Sequence, residues 1–307
     1  MKAKNALYAQ SGGVTSVINA TACAVIESAR KSKNIKKVYA GKDGIVGILN
    51  EDLIDTSVEN AKEIKKLMHT PGGTFGSCRH KLKDARKNKR EYERLIEVFK
   101  AHDIGYFFYN GGGDSQDTSN KIAQYTKEAG FPVTCIGIPK TIDNDLPFTD
   151  NCPGFGSVAK YIATSTKEAA LDVKSMSKSS TKVFILEVMG RDAGHIALNA
   201  GIAGGADVIL IPELPYSIKG IANHIDNIRS KGRNHALIVV AEAVKKEDGK
   251  KATVKFVDGE VRLGGIGTYL GDEIYKLTDA ETRVTVLGHV QRGAQPTHRD
   301  RLIASAF

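Results

Sequence analysis

Short apolar runs alternate with longer, helix-like stretches from one end of this sequence to the other, and this alternation constrains the fold more than any other feature. The runs are four to six residues long and lie at 6–9, 37–40, 106–109, 133–138, 183–188, 208–211, 236–241 and 283–287. Apolar strands separated by helices are typical of a parallel sheet that is covered by helices on both faces. The sequence therefore predicts an α/β fold with mostly parallel sheets.

Length favours two domains, because 307 residues with 41% hydrophobic content exceed what one core of ordinary size needs. A long helical pattern, 158–176, begins just after Gly154, and later strands resemble a second α/β unit. We therefore predict two Rossmann-like domains that divide at 154/155. The last residues, 299–307, predict a helix without a stop signal, so we expect the natural protein to be longer.

The charge balance of +9 suits either nucleic acid or small anions. The densest basic run, 81–90, also contains Asp84 and no base-stacking aromatic residue, so we expect acidic metabolites as partners and no nucleic acid. No apolar run reaches the length that a bilayer requires, and no signal-peptide core follows Met1. We expect a cytoplasmic protein that has no contact with a membrane.

Three glycine-rich loops occur in the first half of the chain. They are QSGGVT at 10–15, PGGTFGS at 71–77 and NGGGDS at 110–115, and the first and last each follow a predicted strand and open a helix. Backbone N–H groups and the helix dipole at such a loop bind phosphate oxygens. We predict a polyphosphate-binding site, although each loop alone is equally typical of a tight turn. Walker A and dinucleotide motifs are not found in this sequence.

Asp114 ends the third of these loops. A carboxylate beside bound phosphates is a typical Mg²⁺ ligand. Aspartate is also a good helix N-cap, and the sequence leaves both interpretations open.

The segment PKTIDND at 139–145 places Lys140, Asp143 and Asp145 within six positions after a buried strand. One carboxylate would take a proton from a hydroxyl nucleophile while the other orients it or balances its charge, and the lysine would stabilise phosphoryl oxygens. The alternative is an Asx-type turn on the surface.

Polar residues also follow the predicted strands of the second half, and we expect them all at the ligand-binding edge of the sheet. Arginines suit a bidentate contact to a phosphate monoester, and a glutamate suits sugar hydroxyls. The alternatives are a partly buried structural histidine and surface ion pairs of little energetic value. These candidates are Met189, Gly190, Arg191, Glu242, Arg283, His289 and Arg292.

Together, the GGD loop, PKTIDND, the MGR turn and LGHVQRG resemble the 6-phosphofructokinase family, over a match that runs from Ser11 to Ser305. The resemblance implies the phosphofructokinase fold and a phosphotransferase of glycolysis or gluconeogenesis that phosphorylates the 1-hydroxyl of fructose 6-phosphate. It makes 1–154, with 291–307 returning to it, the domain for the phosphoryl donor and Mg²⁺. Residues 155–290 become the sugar-phosphate domain.

The resemblance also implies a role for individual residues. Asp143 corresponds to the general base, Asp145 assists it, and Asp114 corresponds to the magnesium ligand. The donor contacts implied are Gly12, Gly13, Ser115 and Lys140. Arg79 corresponds to an arginine that reaches across the donor and acceptor phosphates, and Thr141 to a contact with the transferred group. The sugar contacts implied are Met189, Gly190, Arg191 and Glu242, and those to the 6-phosphate are Lys182, Arg283, His289 and Arg292. Because a neighbouring subunit supplies some of these last contacts in the family, a homodimer or homotetramer is expected.

Two positions bear on the phosphoryl donor. ATP-dependent relatives carry glycine where this sequence has Ser115 and Lys140, and pyrophosphate-dependent relatives carry lysine at the second place. Lys140 would crowd the α-phosphate of ATP and offer a charge to pyrophosphate, so the sequence resembles the pyrophosphate-dependent branch. Ser115 departs from that branch, in which many members have aspartate.

Three alternatives remain at this point. ATP is the donor in the first, and the second is a catalytically silent regulatory subunit that binds sugar phosphates. The third, a nucleotide-binding module related to lipid or NAD kinases, explains the GGD loop but neither PKTIDND nor HVQRG.

Overall fold

The computed structural model describes residues 3–180, 182–255, 261–293 and 295–307. Its strands, in chain order, are β1 (Lys4–Gln10), β2 (Ile35–Gly41), β3 (Leu53–Asp55), β4 (Ile104–Gly111), β5 (Thr134–Pro139), β6 (Lys182–Val188), β7 (Val208–Leu210), β8 (His235–Ala241), β9 (Thr253–Lys255), β10 (Val261–Leu263) and β11 (Glu281–Val286). Its α-helices are α1 (Ile18–Lys31), α2 (Ile45–Leu49), α3 (Ala61–Lys66), α4 (Lys89–Ala101), α5 (Gly113–Glu128), α6 (Phe155–Met176), α7 (His195–Gly204), α8 (Ile218–Ser230), α9 (Ile266–Thr278) and α10 (His298–Ala306).

Each of the eight apolar runs lies in a strand, to within one residue at its ends, so the α/β prediction is confirmed. The prediction did not include β3, β9 and β10. These are three-residue strands with the sequences LID, TVK and VRL, and each contains a charged residue, so none of them gives an apolar run.

The chain divides into two compact units. The first contains 1–141, 146–156 and 295–307, and the second contains 142–145 and 157–294. The predicted boundaries lie at 154/155 and 290/291, so residues 142–145, 155–156 and 291–294 fall in a different unit from the one predicted for them. The binding roles of the two domains stay predictions.

The first unit is built on a five-stranded sheet of order β3-β2-β1-β4-β5. All neighbouring strands are parallel except β3, which runs antiparallel to β2. Side chains of β1 alternate between two apolar clusters, with Leu7 and Ala9 on one face and Ala6 and Tyr8 on the other. This two-sided burial explains why the strand is a continuous apolar run.

Helix α10, near the end of the described chain, packs on α1. The hydroxyl of Thr21 donates a hydrogen bond to the carbonyl of Ala304 at 2.8 Å, and Val17, Ala20 and Ala304 form a small apolar cluster. Residues far apart in sequence thus stabilise the helix that follows the first glycine-rich loop.

The second unit contains a four-stranded, all-parallel sheet of order β11-β6-β8-β7. In the central strand β8, the six residues from Ala236 to Ala241 are all buried. A separate antiparallel pair is formed by β9 and β10. None of the described helices is long and apolar enough to cross a membrane.

Candidate active site

The structure brings the three glycine-rich loops together at the carboxyl ends of β1 and β4. Ser11 forms a parallel bridge with Cys78, and the N–H of Gly12 donates to the carbonyl of Cys78 at 2.9 Å. The hydroxyl of Ser77 donates to the carbonyl of Gly12 at 2.7 Å. Gly12 has a φ of +75°, which suits glycine, so the first loop depends on this residue.

Lys140 links the first loop to the end of β5. Its side chain is buried, with only 4% exposed, and its ammonium group donates to the carbonyls of Ser11 at 2.9 Å and Gly13 at 2.5 Å. A methyl group on Gly12 would lie 3.6 Å from the ammonium nitrogen. The positive charge therefore lies directly against the loop predicted to bind the donor.

Ser115 is buried in the first turn of α5, 4% exposed. A methyl group on Gly111 would collide with the Ser115 hydroxyl and lie 3.1 Å from Cβ of Ser11. Gly111 is thus required where β4 meets the first loop, and the backbone N–H of Lys140 donates to its carbonyl at 3.0 Å.

Asp114 is an exposed side chain near the start of α5, and Lys81 pairs with it at 2.6 Å. The N-cap of α5 is Gly112 and no side chain caps this helix, so the alternative that Asp114 is the N-cap is wrong. No group of three or more metal-binding side chains occurs among the described residues. One exposed carboxylate nevertheless fits Mg²⁺, because this ion is commonly held by one or two carboxylates together with substrate phosphates and water. Arg79, after the second loop, is exposed.

In the second unit, Met189–Gly190–Arg191 form a tight turn after β6. Gly190 has a φ of +134°, and a methyl group there would lie 2.6 Å from the carbonyl oxygen of Ala193. Arg191 has a φ of +48°, is exposed, and donates its backbone N–H to Oε1 of Glu242 at 3.1 Å. The turn after β6 and the glutamate after β8 are therefore connected.

Burial raises the pKa of Glu242 above the ordinary value of 4.5. The hydrogen bond from the Arg191 N–H opposes this shift, and the negative charges of Asp143 and Glu187 add to it. Asp143 therefore lies close enough to Glu242 for the two carboxylates to interact.

Asp143 and Asn144 are both 8% exposed, whereas Asp145 is exposed. Asn144 has a φ of +57°, a left-handed conformation that asparagine tolerates better than most residues. A surface turn, the alternative for this segment, therefore does not describe the two buried residues. Thr141, in the first unit, forms an isolated parallel bridge with Gly154.

His289 and Arg292 lie in a short 3-10 helix, Gly288–Gly293, after β11. Gln291 between them is buried, and its amide accepts from the N–H of Met189 at 3.4 Å and donates to the carbonyl of Gly288 at 2.8 Å. The turns after β6 and β11 are thereby held side by side.

Lys182 and Arg283 do not lie at the carboxyl edge of the second unit's sheet. Lys182 is the first residue of β6 and pairs with Glu281, its register partner in β11, and Arg283 also contacts Glu281. The expectation that Arg283 lies at the carboxyl edge is therefore wrong, because it is within β11 near the amino end. Six residue steps of about 3.3 Å separate Lys182 from Val188, so the two edges are roughly 20 Å apart.

Sequence reasoning missed several residues that shape these turns. Ser77 and Gln291 have been described. Glu187, 1% exposed in β6, accepts hydrogen bonds from the N–H groups of Gly265 at 2.9 Å and Gly267 at 2.8 Å at the start of α9. A carboxylate inside the apolar run FILEV was the signal that could have found it.

Comparisons with known proteins agree with this arrangement. The phosphofructokinase family model matches residues 5–307. A pyrophosphate–fructose 6-phosphate 1-phosphotransferase of Methylococcus capsulatus is 51% identical over 305 residues, which cover 96% of this chain and 72% of that protein. An ATP-dependent 6-phosphofructokinase 1 of Nostoc is 40% identical over 304 residues, which cover 97% of this chain and 81% of that one.

A solved structure, that of a pyrophosphate-dependent phosphofructokinase from Nitrosospira multiformis, has the same fold. Its TM-score is 0.87 and its identity 48%, and the match covers 99% of this chain and 74% of that chain. The fold and the sequence agree over nearly the whole length, and the chain belongs to the phosphofructokinase family.

Proposed function

We propose that this protein transfers a phosphoryl group from pyrophosphate to the 1-hydroxyl of fructose 6-phosphate, forming fructose 1,6-bisphosphate and phosphate. The observation that carries the choice of donor is the buried ammonium group of Lys140, held by the carbonyls of Ser11 and Gly13 beside Gly12. A fixed charge there favours the compact, highly charged pyrophosphate, and its bulk disfavours a nucleotide. Relatives that share about half of the sequence and bear the corresponding name support the proposal.

We assign donor binding to the first unit. The glycine-rich loop with Gly12 and Gly13 contacts the pyrophosphate, and Ser115 supports this loop from the first turn of α5. Lys140 and Arg79 balance charge on the phosphoryl oxygens, and Thr141 contacts the transferred group. Asp114 would hold Mg²⁺, which withdraws charge from the phosphates when it is bound.

We assign the acceptor and the base to the second unit. The Asp143 carboxylate takes the proton of the 1-hydroxyl, the oxygen attacks the nearer phosphorus in line, and the bridging P–O bond breaks to release phosphate. Asp145 assists by orienting the hydroxyl. The turn of Met189, Gly190 and Arg191, together with Glu242, holds the sugar.

The contacts to the 6-phosphate divide into two sets. His289 and Arg292 follow β11 at the carboxyl edge of the sheet, while Lys182 and Arg283 lie at or near its amino edge. Because about 20 Å separates the edges, the exposed Arg283 of one chain is better placed to serve the site of a second copy. Lys182 is 8% exposed and paired with Glu281, so it would serve that site only after leaving this pair. This supports a homodimer or homotetramer, and we propose that it acts in the cytoplasm on these glycolytic substrates.

The proposal is tested by a coupled assay of fructose 1,6-bisphosphate formation from fructose 6-phosphate and Mg²⁺, with pyrophosphate and ATP as donors in parallel. We expect turnover with pyrophosphate and little or none with ATP. Activity with ATP alone would refute the choice of donor. No activity with either donor, in a folded full-length protein, would favour the silent regulatory subunit.

Replacing Glu242 with glutamine should weaken sugar binding and stabilise the fold at neutral pH. A neutral amide binds sugar hydroxyls less strongly than a carboxylate, so we expect KM for fructose 6-phosphate to rise about tenfold. Because the pKa of Glu242 is raised, the folded chain binds more protons than the unfolded chain above the ordinary value of 4.5. Stability from this group is therefore lost as the pH rises through the raised pKa.

Glutamine cannot ionise, so the variant should gain stability over the natural protein at about pH 8 and much less at about pH 5. Thermal unfolding of the variant and of the natural protein at both pH values measures this gain in stability. Glu128→Gln, at an exposed glutamate of α5, is the matched control and should change neither KM for fructose 6-phosphate nor stability. A stability gain that is equal at both pH values would contradict the prediction.

A further inference from the structure

Helix α10 carries a buried carboxylate that the proposed chemistry does not use. Asp300 is 2% exposed and lies in the first turn of the helix, where its backbone N–H donates to the hydroxyl of the N-cap residue Thr297 at 3.1 Å. A buried charge is costly unless hydrogen bonds and favourable dipoles offset the loss of water. The position of the carboxylate near the positive, N-terminal end of α10 reduces that cost. This position does not explain, however, which way the side chain points.

The Asp300 carboxylate reaches a distant part of the chain. Its Oδ1 atom accepts a buried hydrogen bond of 2.9 Å from the backbone N–H of Gly154, 146 positions earlier in the sequence. An acidic residue at this place in a capping box ordinarily reaches back to the N–H of its own N-cap. The hydrogen bond from Gly154 therefore connects α10 to another segment of the first unit.

Gly154 in turn is paired with Thr141. It is buried, has a φ of +109°, and forms the isolated parallel bridge with Thr141. Thr141 directly follows Lys140 and stands two positions before Asp143. A restraint on Gly154 is thus a restraint on the backbone at the proposed catalytic segment.

The other end of this connection is also held in place. The hydrogen bond from Thr21 to the carbonyl of Ala304, together with the apolar contacts of Val17 and Ala20, fixes α10 on α1. Since α10 is anchored, the Asp300 carboxylate is a fixed point on which Gly154 can be positioned.

We propose that Asp300 is a positioning residue for phosphoryl transfer, which acts through Gly154 to hold Thr141 at the transferred group. The inference rests on the proposed function. A small displacement of a group at the reaction centre lowers turnover steeply while leaving ground-state binding largely intact. The effect should therefore appear in kcat rather than in KM.

The test compares Asp300→Ala, Asp300→Asn and Thr56→Val in the natural full-length protein. Alanine removes the acceptor and should lower kcat about 10- to 100-fold, with KM for fructose 6-phosphate within about threefold of the natural value. Asparagine keeps an oxygen acceptor for the Gly154 N–H and should restore most of the loss. Thr56→Val removes a buried hydrogen bond of the same kind, from the Thr56 hydroxyl to the carbonyl of Val38 at 2.7 Å, away from α10. It should lower thermal stability without lowering kcat.

Hydrogen exchange gives a second readout that is independent of activity. Peptides covering 139–156 should exchange faster in Asp300→Ala than in the natural protein, and not in Thr56→Val. If the alanine variant does not fold, Asp300→Ser, whose hydroxyl is too short to reach Gly154, takes its place. If the natural protein transfers no phosphoryl group, the proposed function fails while the exchange comparison still tests the connection.

Three results would overturn the inference. They are a kcat of Asp300→Ala within about twofold of the natural value, an asparagine variant as impaired as the alanine variant, and unchanged exchange of 139–156.

Discussion

Replacing Asp143 with serine is expected to lower kcat by roughly two to four orders of magnitude, the usual range for loss of a general base. The serine hydroxyl cannot accept the proton of the 1-hydroxyl at neutral pH, so the nucleophile would have to lose it to water. Steady-state rates with pyrophosphate and fructose 6-phosphate measure the loss. Because the charge of Asp143 raises the pKa of Glu242, the same variant should also lower that pKa.

Asp117→Ser is the matched control, at an exposed aspartate of α5 that pairs with Lys121. It changes the same residue type on the surface and should keep kcat within about twofold of the natural value. Thermal unfolding of both variants shows whether the loss of a buried carboxylate has unfolded the chain. Near-normal turnover in a folded Asp143→Ser protein would refute the assignment of the base.

Replacing Lys140 with glycine should damage the use of pyrophosphate far more than the binding of sugar phosphate. Its ammonium group is buried against the first loop, and water that fills the space after its removal carries no charge to replace it. We expect kcat/KM for pyrophosphate to fall about 100- to 1,000-fold, the range for removing one fixed donor at a reaction centre. KM for fructose 6-phosphate should stay within about threefold, because the sugar contacts lie on other strands.

Lys140→Met separates charge from bulk. Methionine removes the ammonium group but retains much of the volume, so it should lose pyrophosphate use as the glycine variant does and still exclude ATP. Glycine opens the space beside Gly12, so only this variant should gain any activity with ATP. An unchanged rate with pyrophosphate in both variants would count against Lys140 as the determinant of the donor.

Much of the fold could be predicted because its signals are local. The eight apolar runs become strands since parallel strands buried on both faces must be continuously apolar, as β1 and β8 are. The glycine-rich loops were visible because tight turns next to a helix require residues such as Gly12 and Gly190. The short strands β3, β9 and β10 were not, because three residues carry too little periodicity to recognise.

The candidate site was predictable by residue type but not by contact. The sequence placed Lys140 near the donor and Glu242 near the sugar, and the carboxyl-edge rule gave their neighbourhood. It could not show that the Lys140 ammonium is held by two carbonyls of the first loop, since that contact spans about 130 residues. It also misplaced Arg283, because a motif shows which residues precede a turn but not how far into the strand they lie.

The sequence by itself determined the α/β class, the loops at the ends of the strands and the residue types that carry the chemistry, because each depends on residues that are close together in sequence. Only the tertiary structure decided which of these residues meet. Register placed Lys182 and Glu281 together at the amino edge of one sheet, and packing of α10 directed Asp300 onto Gly154. Such contacts join segments 99 and 146 positions apart, and their geometry follows from strand order and helix packing rather than from local propensity.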